Sequence, residues 1–103
     1  SRMSENQYTI CRWADSTFGQ ATLTAAHNRL MKEAVELEAV VLDPASTPER
    51  IIEECADVLI TLYRVAGLTG RDLMGAVDDK MSINRARIWR LNGDGTAQHV
   101  EGA

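Results

Sequence analysis

The longest regular pattern in the sequence is a helical repeat of apolar residues between Thr22 and Leu42. Its members recur at intervals of three and four residues: Leu23, Ala26, Leu30, Ala34, Leu37 and Val41. This spacing places them on one face of an α-helix, and Asp43-Pro44 ends the helix because the residue before a proline avoids helical geometry. The repeat therefore predicts a long amphipathic helix that must bury its apolar face against another element.

Start and stop signals on either side of this repeat predict three further helices. One begins after Thr47, whose hydroxyl can cap it, has Pro48 in its first turn, and ends near Gly67. The others are predicted over residues 5–15 and 69–90. Because no run of alternating apolar and polar residues indicates a strand, the sequence predicts an all-α fold.

The four predicted helices form one domain over residues 3–91. The chain has 103 residues, which is too few for two independent cores. Residues 92–103 begin with the turn-forming sequence Asn-Gly-Asp-Gly and are predicted to be an irregular tail.

The helix after Pro48 is apolar on nearly all sides, which predicts self-association. Ile52, Ala56 and Ile60 lie outside its main apolar face. A domain of this size cannot cover such a helix alone, so we expect a four-helix bundle completed by homo-oligomerisation, as a homodimer or tetramer. Trp13 is interpreted as a core or interface residue.

Charge and cysteine content exclude several classes of function. A net charge of −4 argues against a nucleic-acid-binding surface. No apolar run approaches the roughly 20 residues that span a membrane. Cys11 and Cys55 are far apart and form no CxxC motif, and no signal-peptide pattern is present. We therefore expect a cytoplasmic protein.

Two pairs of acidic residues border the apolar faces of the two central helices. Glu33 and Glu36 lie one turn apart at the edge of the first face, and Glu54 and Asp57 occupy the corresponding edge of the second. Glu53 projects about 100° away from Glu54, which favours Glu54 as the functional acid. If the short link makes the helices pack antiparallel, the two acidic edges face one another.

Carboxylates gathered in this way repel one another unless a cation compensates their charge. A hard divalent cation suits oxygen ligands without thiol or imidazole, so Mg²⁺ is the expected cofactor and Mn²⁺ the alternative. Acidic residues on helices are usually solvated, but the same spacing on two helices favours a site. The predicted metal-binding and catalytic residues are Glu33, Glu36, Glu54 and Asp57.

Polar residues interrupt the apolar side of the last predicted helix. Lys80 and Asn84 lie one turn apart, and Arg87 lies about 60° from Asn84 on the same strip. An ammonium, an amide and a guanidinium are suitable donors to triphosphate oxygens, which predicts substrate binding. Phe18, expected in the loop before the long helix, is a candidate for stacking on a nucleobase.

The acidic motifs resemble those of a known enzyme superfamily. Residues 32–37 followed by residues 54–58 resemble the EExxE…ExxD signature of the MazG-like all-α nucleoside triphosphate pyrophosphohydrolases, and residues 80–89 are similar to a K…N.R.W segment of that superfamily. Lys32 replaces the first glutamate of the motif. The resemblance implies that the four remaining acids are the metal ligands.

Weaker motifs are similar to the short phage-type branch described as dATP/dGTP pyrophosphohydrolases. These are Thr17-Phe18-Gly19, His27, Asp94-Gly95 and His99-Val100. The resemblance implies Mg²⁺-dependent hydrolysis of a nucleoside triphosphate to the monophosphate and pyrophosphate, with dATP and dGTP as favoured substrates. It also implies a homo-oligomer.

The sequence leaves a different substrate range and a non-enzymatic role open, and it disfavours a di-iron site. The activity could be directed at dUTP or at nucleoside triphosphates broadly. The chain could instead be a non-enzymatic helical oligomerisation module with solvated acidic edges. A di-iron helical bundle requires Glu-x-x-His pairs, and neither His27 nor His99 completes one.

Overall fold

The computed structural model describes residues 4–101, which form four helices and one two-stranded sheet. In chain order these are α1 (Gln7–Phe18), α2 (Leu23–Leu42), α3 (Pro48–Leu68), α4 (Leu73–Ala86), β1 (Trp89–Leu91) and β2 (Ala97–His99). The mostly helical fold is confirmed. Residue 3 of the predicted domain and residues 102–103 of the predicted tail lie outside the described residues.

The two central helices both begin at threonine caps, of which the sequence predicts the one at Thr47. The Thr22 hydroxyl accepts a hydrogen bond from the Ala25 amide at 3.1 Å, and the Thr47 hydroxyl accepts one from the Arg50 amide at 3.3 Å. Both hydroxyls satisfy amides that have no partner within their helix. Along residues 4–101, no helix combines the length and the apolar composition that crossing a membrane requires.

Helices α2 and α3 pack against each other in opposite directions. Across the link, Arg50 donates to the Asp43 carboxylate at 3.1 Å, while farther from the link Glu36 lies beside Glu54. Later positions in α2 therefore lie against earlier positions in α3. This antiparallel arrangement is the predicted one, and it brings the two acidic edges together.

Helix α1 begins and ends later than the sequence analysis predicts. The Asn6 side chain accepts from the Thr9 amide at 2.9 Å, and the Thr9 hydroxyl accepts from the Asn6 amide at 2.9 Å, so the helix begins after this reciprocal cap. Phe18 is the last residue of α1, so its expected position in a loop is wrong. Gly19 ends the helix with a φ of 83°, a conformation that favours glycine.

Helix α1 packs closely on α3 at the point where Cys11 lies against Gly67. The Cys11 thiol donates to the Tyr63 carbonyl at 3.4 Å, and burial raises the pKa of this thiol. An ideal Cβ at Gly67 would lie 2.6 Å from the Cys11 sulfur, which is too close for contact. Glycine at this position therefore allows the two helix backbones to approach.

Few apolar side chains are fully buried among residues 4–101. The buried apolar residues are Ala14, Ala26 and Val40, and neither α3 nor α4 contributes any. Large side chains remain exposed, including Leu42 at 73% and Ile52 at 65%. Trp13 is 54% exposed, so it is not a core residue of this chain.

The segment from Met74 onward is a separate compact unit containing most of α4 and the two strands. Helix α4 ends at Ala86, short of the predicted residue 90, and β1 pairs with β2 in an antiparallel register that places Trp89 opposite His99. The Asn92 amide donates to the Thr96 carbonyl at 2.9 Å and closes the hairpin. The predicted irregular tail therefore contains a strand, which is too short to show an alternating pattern.

Candidate active site

Three carboxylates from α2 and α3 meet where these helices pack. Glu33, Glu36 and Glu54 each place an oxygen within 4.8 Å of the other two. Glu33 is only 5% exposed, whereas Glu36 lies at the solvent-facing side. Glu53 is not part of this acidic cluster. The structure thus brings together three of the four predicted acids, and their role as metal ligands stays a prediction.

Asp57, the fourth predicted acid, lies beside the acidic cluster rather than within it. Asp57 is one turn along α3 from Glu54, and it lines the same pocket as Glu33. Its carboxylate is exposed, in contrast to that of Glu33. Asp57 can therefore contact a ligand that occupies the pocket next to the acidic cluster.

The acidic cluster carries negative charge that the described residues do not fully neutralise. Oxygen Oε2 of Glu54 is buried and has no hydrogen-bond partner among the described residues. A hydrogen bond to the Glu33 side chain, and then the negative charge of Glu33, raise the pKa of Glu36. The raised pKa of Glu36 and the unpartnered buried oxygen of Glu54 both indicate excess negative charge. These oxygen donors fit a hard divalent cation.

Arg29 partly offsets this charge, although the sequence analysis gave it no role. Its Nη2 donates to Oε1 of Glu33 at 2.7 Å. The Arg29 side chain is 65% exposed, whereas that of Glu33 is 7% exposed. The spacing of four residues on one helix was the available signal, but it is common on solvated helices. Arg29 therefore places a positive charge, itself open to solvent, in contact with the buried carboxylate of Glu33.

A pocket of about 430 Å³ opens beside the acidic cluster. Trp13, Phe18 and Ile60 contribute to its apolar wall, and Glu33 and Asp57 contribute carboxylates. The Trp13 and Phe18 rings meet edge to face, with centroids 5.2 Å apart. A pocket with an aromatic wall beside charged groups suits a ligand that has a flat ring and an anionic part.

Arg64 of α3 lies in the same pocket and holds the end of α1. Its Nη2 donates to the Gly19 carbonyl at 2.5 Å and to the Asp15 carboxylate at 3.4 Å. Its guanidinium carbon is 5.8 Å from the centroid of the Phe18 ring. These partners are 45 to 49 residues away in sequence, so local patterns gave no signal for Arg64.

The candidate phosphate-binding residues fall in the second unit, from Met74 onward. Lys80 and Asn84 lie one turn apart on α4, as predicted. Arg87 lies beyond the end of α4, so its predicted position on the same helical strip is wrong. The Arg87 amide and the Trp89 indole nitrogen both donate to the Asn84 carbonyl, at 3.3 and 2.9 Å, as the chain leaves the helix.

The fold and the acidic cluster together define the class of this protein. It is a helical protein in which carboxylates from two packed helices form one cluster. The sequence profile of the dATP/dGTP pyrophosphohydrolase family matches residues 7–101. The chain belongs to this family.

Two phage proteins are similar to this chain in sequence. The dATP/dGTP diphosphohydrolase of Salmonella phage PMBT28 is 41% identical over 99 residues, which cover 95% of this chain and 31% of that protein. The dATP/dGTP diphosphohydrolase of Cyanophage S-2L is 37% identical over 75 residues, covering 73% of this chain and 66% of that protein. The chain thus spans less than a third of the first relative and about two thirds of the second.

A solved structure from Cyanophage S-2L shares the fold. It is a MazG-like pyrophosphohydrolase bound to dGDP and three catalytic Mn²⁺ ions per active site. The match has a TM-score of 0.74 and 33% sequence identity, and it covers 94% of this chain and 91% of that one. The resemblance to the MazG-like superfamily is therefore confirmed.

Proposed function

We propose that this protein hydrolyses dATP and dGTP to the monophosphate and pyrophosphate in a reaction that requires Mg²⁺. The observation that carries this proposal is the acidic cluster, whose three carboxylates lie within 4.8 Å of one another beside a pocket of about 430 Å³. Membership of the family and the names of the phage relatives support it. The Mn²⁺ in the cyanophage structure makes Mn²⁺ the second candidate metal.

The acids Glu33, Glu36 and Glu54, together with Asp57, would hold the metal. A divalent ion bound there supplies positive charge to the phosphates and promotes ionisation of an attacking water. The buried Oε2 of Glu54 would gain the partner that it lacks. Glu36 faces solvent at the edge of the acidic cluster, so we propose that it accepts a proton from water during attack on the α phosphorus.

The chain's other polar and aromatic residues would bind the nucleotide. We propose that the base enters the pocket against the Phe18 ring, which is 66% exposed. Lys80 and Asn84 would donate to phosphate oxygens from one side of α4. Arg87 remains a candidate donor, although it acts from the bend after the helix rather than from the helical strip.

The small core supports self-association as a homodimer or tetramer. Helix α3 has no buried residue, and its own surface carries exposed apolar side chains such as Ile52. Ile60, predicted to contact a partner, lines the pocket, which makes Ile52 the better interface candidate. Two free cysteines fit the reducing cytoplasm in which we place the protein, and a net charge of −4 disfavours nucleic acid as a partner.

A product assay across the common nucleoside triphosphates tests the proposed function. With Mg²⁺, dATP and dGTP should release the monophosphate and pyrophosphate in equal amounts, and a chelator should abolish the release. Preference for dUTP, or equal use of all triphosphates, would favour the broader alternative. If no triphosphate is hydrolysed and Mg²⁺ gives no thermal stabilisation, the chain is an oligomerisation module instead.

The phosphate-binding role of α4 has its own test. Replacing Asn84 with alanine keeps the net charge and removes a donor, so catalytic efficiency should fall about ten- to a hundredfold while metal binding without nucleotide is retained. Ser82→Ala on the same helix is the matched control and should behave like the parent. If Asn84→Ala also turns over substrate like the parent, the polar strip on α4 is structural.

A further inference from the structure

The proposed reaction gives no role to Arg64, a charged side chain that lines the pocket. Arg64 is largely buried, with its side chain 18% exposed, yet it lies beside an aromatic pair that is mostly open to solvent. Trp13 is 54% exposed and Phe18 is 66% exposed. A charged group placed beneath exposed rings requires an explanation, because removing a guanidinium from water is costly unless its contacts compensate.

All contacts of the Arg64 guanidinium described above converge on the last turn of α1. One is to Asp15 within that turn, one is to the Gly19 carbonyl just beyond it, and one is to the face of the Phe18 ring. These contacts fix the helix end both before and after Phe18. Arg64 thereby connects α3 to the segment that carries the aromatic wall.

The Arg64 guanidinium makes its described hydrogen bonds to the end of α1 rather than presenting Nη2 to the pocket. Its Nε is buried and has no hydrogen-bond partner among the described residues, and its Nη2 is already engaged by Gly19 and Asp15. A ligand entering the pocket would instead meet the exposed Phe18 ring. The arrangement is that of a supporting group behind a contact surface.

We propose that Arg64 is a positioning residue that holds the Phe18 ring as one wall of the pocket and thereby sets the affinity for the nucleobase. This inference rests on the proposed function, because it assumes that a nucleobase enters the pocket. Arg64 acts through Phe18 and leaves the acidic cluster unaffected. Nucleotide affinity should therefore depend on Arg64, whereas metal affinity should not.

The first test needs no nucleotide. In a Trp89→Phe background Trp13 is the remaining tryptophan, and its ring packs on Phe18. Arg64→Met should increase acrylamide quenching of Trp13 and shift its emission to the red, and Arg64→Lys should show a smaller change. Arg50→Met removes an ion pair outside the pocket and should match the parent. Unchanged Trp13 emission and quenching in Arg64→Met would overturn the proposal.

The second test separates positioning from direct contact and from a general loss of stability. Arg64→Met should raise KM for dGTP about tenfold, with kcat within about twofold of the parent and Mn²⁺ affinity unchanged. In a Phe18→Ala background the same substitution should add little further loss, because the ring through which Arg64 acts is gone. Additive losses would show that Arg64 acts by another route, and reduced Mn²⁺ affinity would show that its effect is not confined to the pocket.

Two further results complete the test, namely the behaviour of Arg64→Lys and the activity of the parent protein. If Arg64→Met does not fold, Arg64→Lys carries the same double-mutant cycle, since it keeps the charge but loses the planar fork of donors. A parent protein that hydrolyses no nucleotide would refute the proposed function, while the tryptophan measurements would still decide whether Arg64 positions the aromatic pair.

Discussion

The two ends of the site in residues 4–73 differ in how they are built. At the charged end Glu33 is 5% exposed and Glu54 has a buried oxygen without a partner, whereas at the aromatic end Phe18 is 66% exposed and Arg64 donates to groups of α1. The charged end contains a buried carboxylate and a buried oxygen without a partner, while the aromatic end is open and supported by Arg64. Charge should therefore govern binding at the first end, and shape should govern it at the second.

This difference predicts separable effects of substitution. Changes at the charged end should lower metal affinity and kcat, because a metal held there would take part in the proposed reaction. Changes at the aromatic end should raise KM with less effect on kcat, because a base contact that is equal in the ground and transition states contributes only uniform binding. Four experiments can break or sharpen this distinction, in decreasing order of expected effect.

The largest effect is expected from Glu54→Gln. This change removes a charge from the acidic cluster. If Glu54 is a metal ligand, as proposed, its loss should exceed the 10- to 100-fold cost that is typical of residues behind the ligands, so kcat should fall by more than about 100-fold. Glu53→Gln is the matched control on the adjacent residue and should retain most activity. Pyrophosphate release and Mn²⁺ titration measure both variants. Equal losses at the two positions would refute the assignment of Glu54.

The next largest effect is expected from Ile52→Asp on the exposed side of α3. A charge forced into a subunit interface costs several kcal/mol, so the oligomer should dissociate, as light scattering can measure. The monomer should still bind Mn²⁺, because one chain forms the acidic cluster. Ile52→Leu keeps the apolar surface and should preserve the assembly. An unchanged mass for Ile52→Asp would place this surface in solvent.

A smaller effect is expected from Phe18→Ala at the aromatic end. Stacking of a base on an aromatic ring is worth about 1–3 kcal/mol, so KM for dATP and dGTP should rise roughly tenfold while metal affinity is retained. Tyr8→Ala removes another exposed aromatic ring of α1 that does not line the pocket. It should leave KM unchanged. A loss of Mn²⁺ binding in Phe18→Ala would show that the two ends are coupled.

The smallest effect is expected at the link between α2 and α3, which belongs to neither end. Hydrogen bonds from the Ala45 amide and from Arg50 hold the pKa of Asp43 below its usual value. The ionised carboxylate therefore stabilises the folded protein above its unfolded-state pKa, and this contribution is lost as pH falls through the lower folded-state pKa. Asp43→Asn should lower Tm slightly at pH 7, and the difference should disappear in acid.

If the Tm difference for Asp43→Asn were the same at pH 7 and in acid, ionisation of Asp43 would not be its cause. The variant should also retain kcat and KM, because its contacts lie at the link rather than in the pocket. It is therefore a control for general loss of stability in the other three experiments.

The charged end could be predicted from the sequence because helical periodicity places its residues. Glu33 and Glu54 each lie at the edge of an apolar face, and the short link makes antiparallel packing the simplest arrangement. The angular distinction between Glu53 and Glu54 agrees with the structure, since only Glu54 joins the cluster. Helical periodicity and the short link are therefore enough to bring Glu33, Glu36 and Glu54 together.

The aromatic end and the chain after Ala86 could not be predicted in this way. Arg64 contacts groups more than 40 residues away, and no local pattern reports such a contact. Phe18 was expected in a loop because the residues before Gly19 indicated an earlier helix end, whereas α1 continues to Phe18 and ends at the Gly19 cap. The hairpin was missed because its strands are three residues each and are defined by pairing with each other.

The contact between Gly67 and Cys11 makes the sizes of these two residues interdependent. A side chain at Gly67 would collide with the Cys11 sulfur unless the thiol moved or were also reduced in size. A single replacement should act as a wedge between α1 and α3, whereas a paired replacement such as Gly67→Ala with Cys11→Ala removes the obstructing sulfur. Related chains should therefore vary at these two positions together, and a larger residue at either one alone should tilt the helix that carries Phe18.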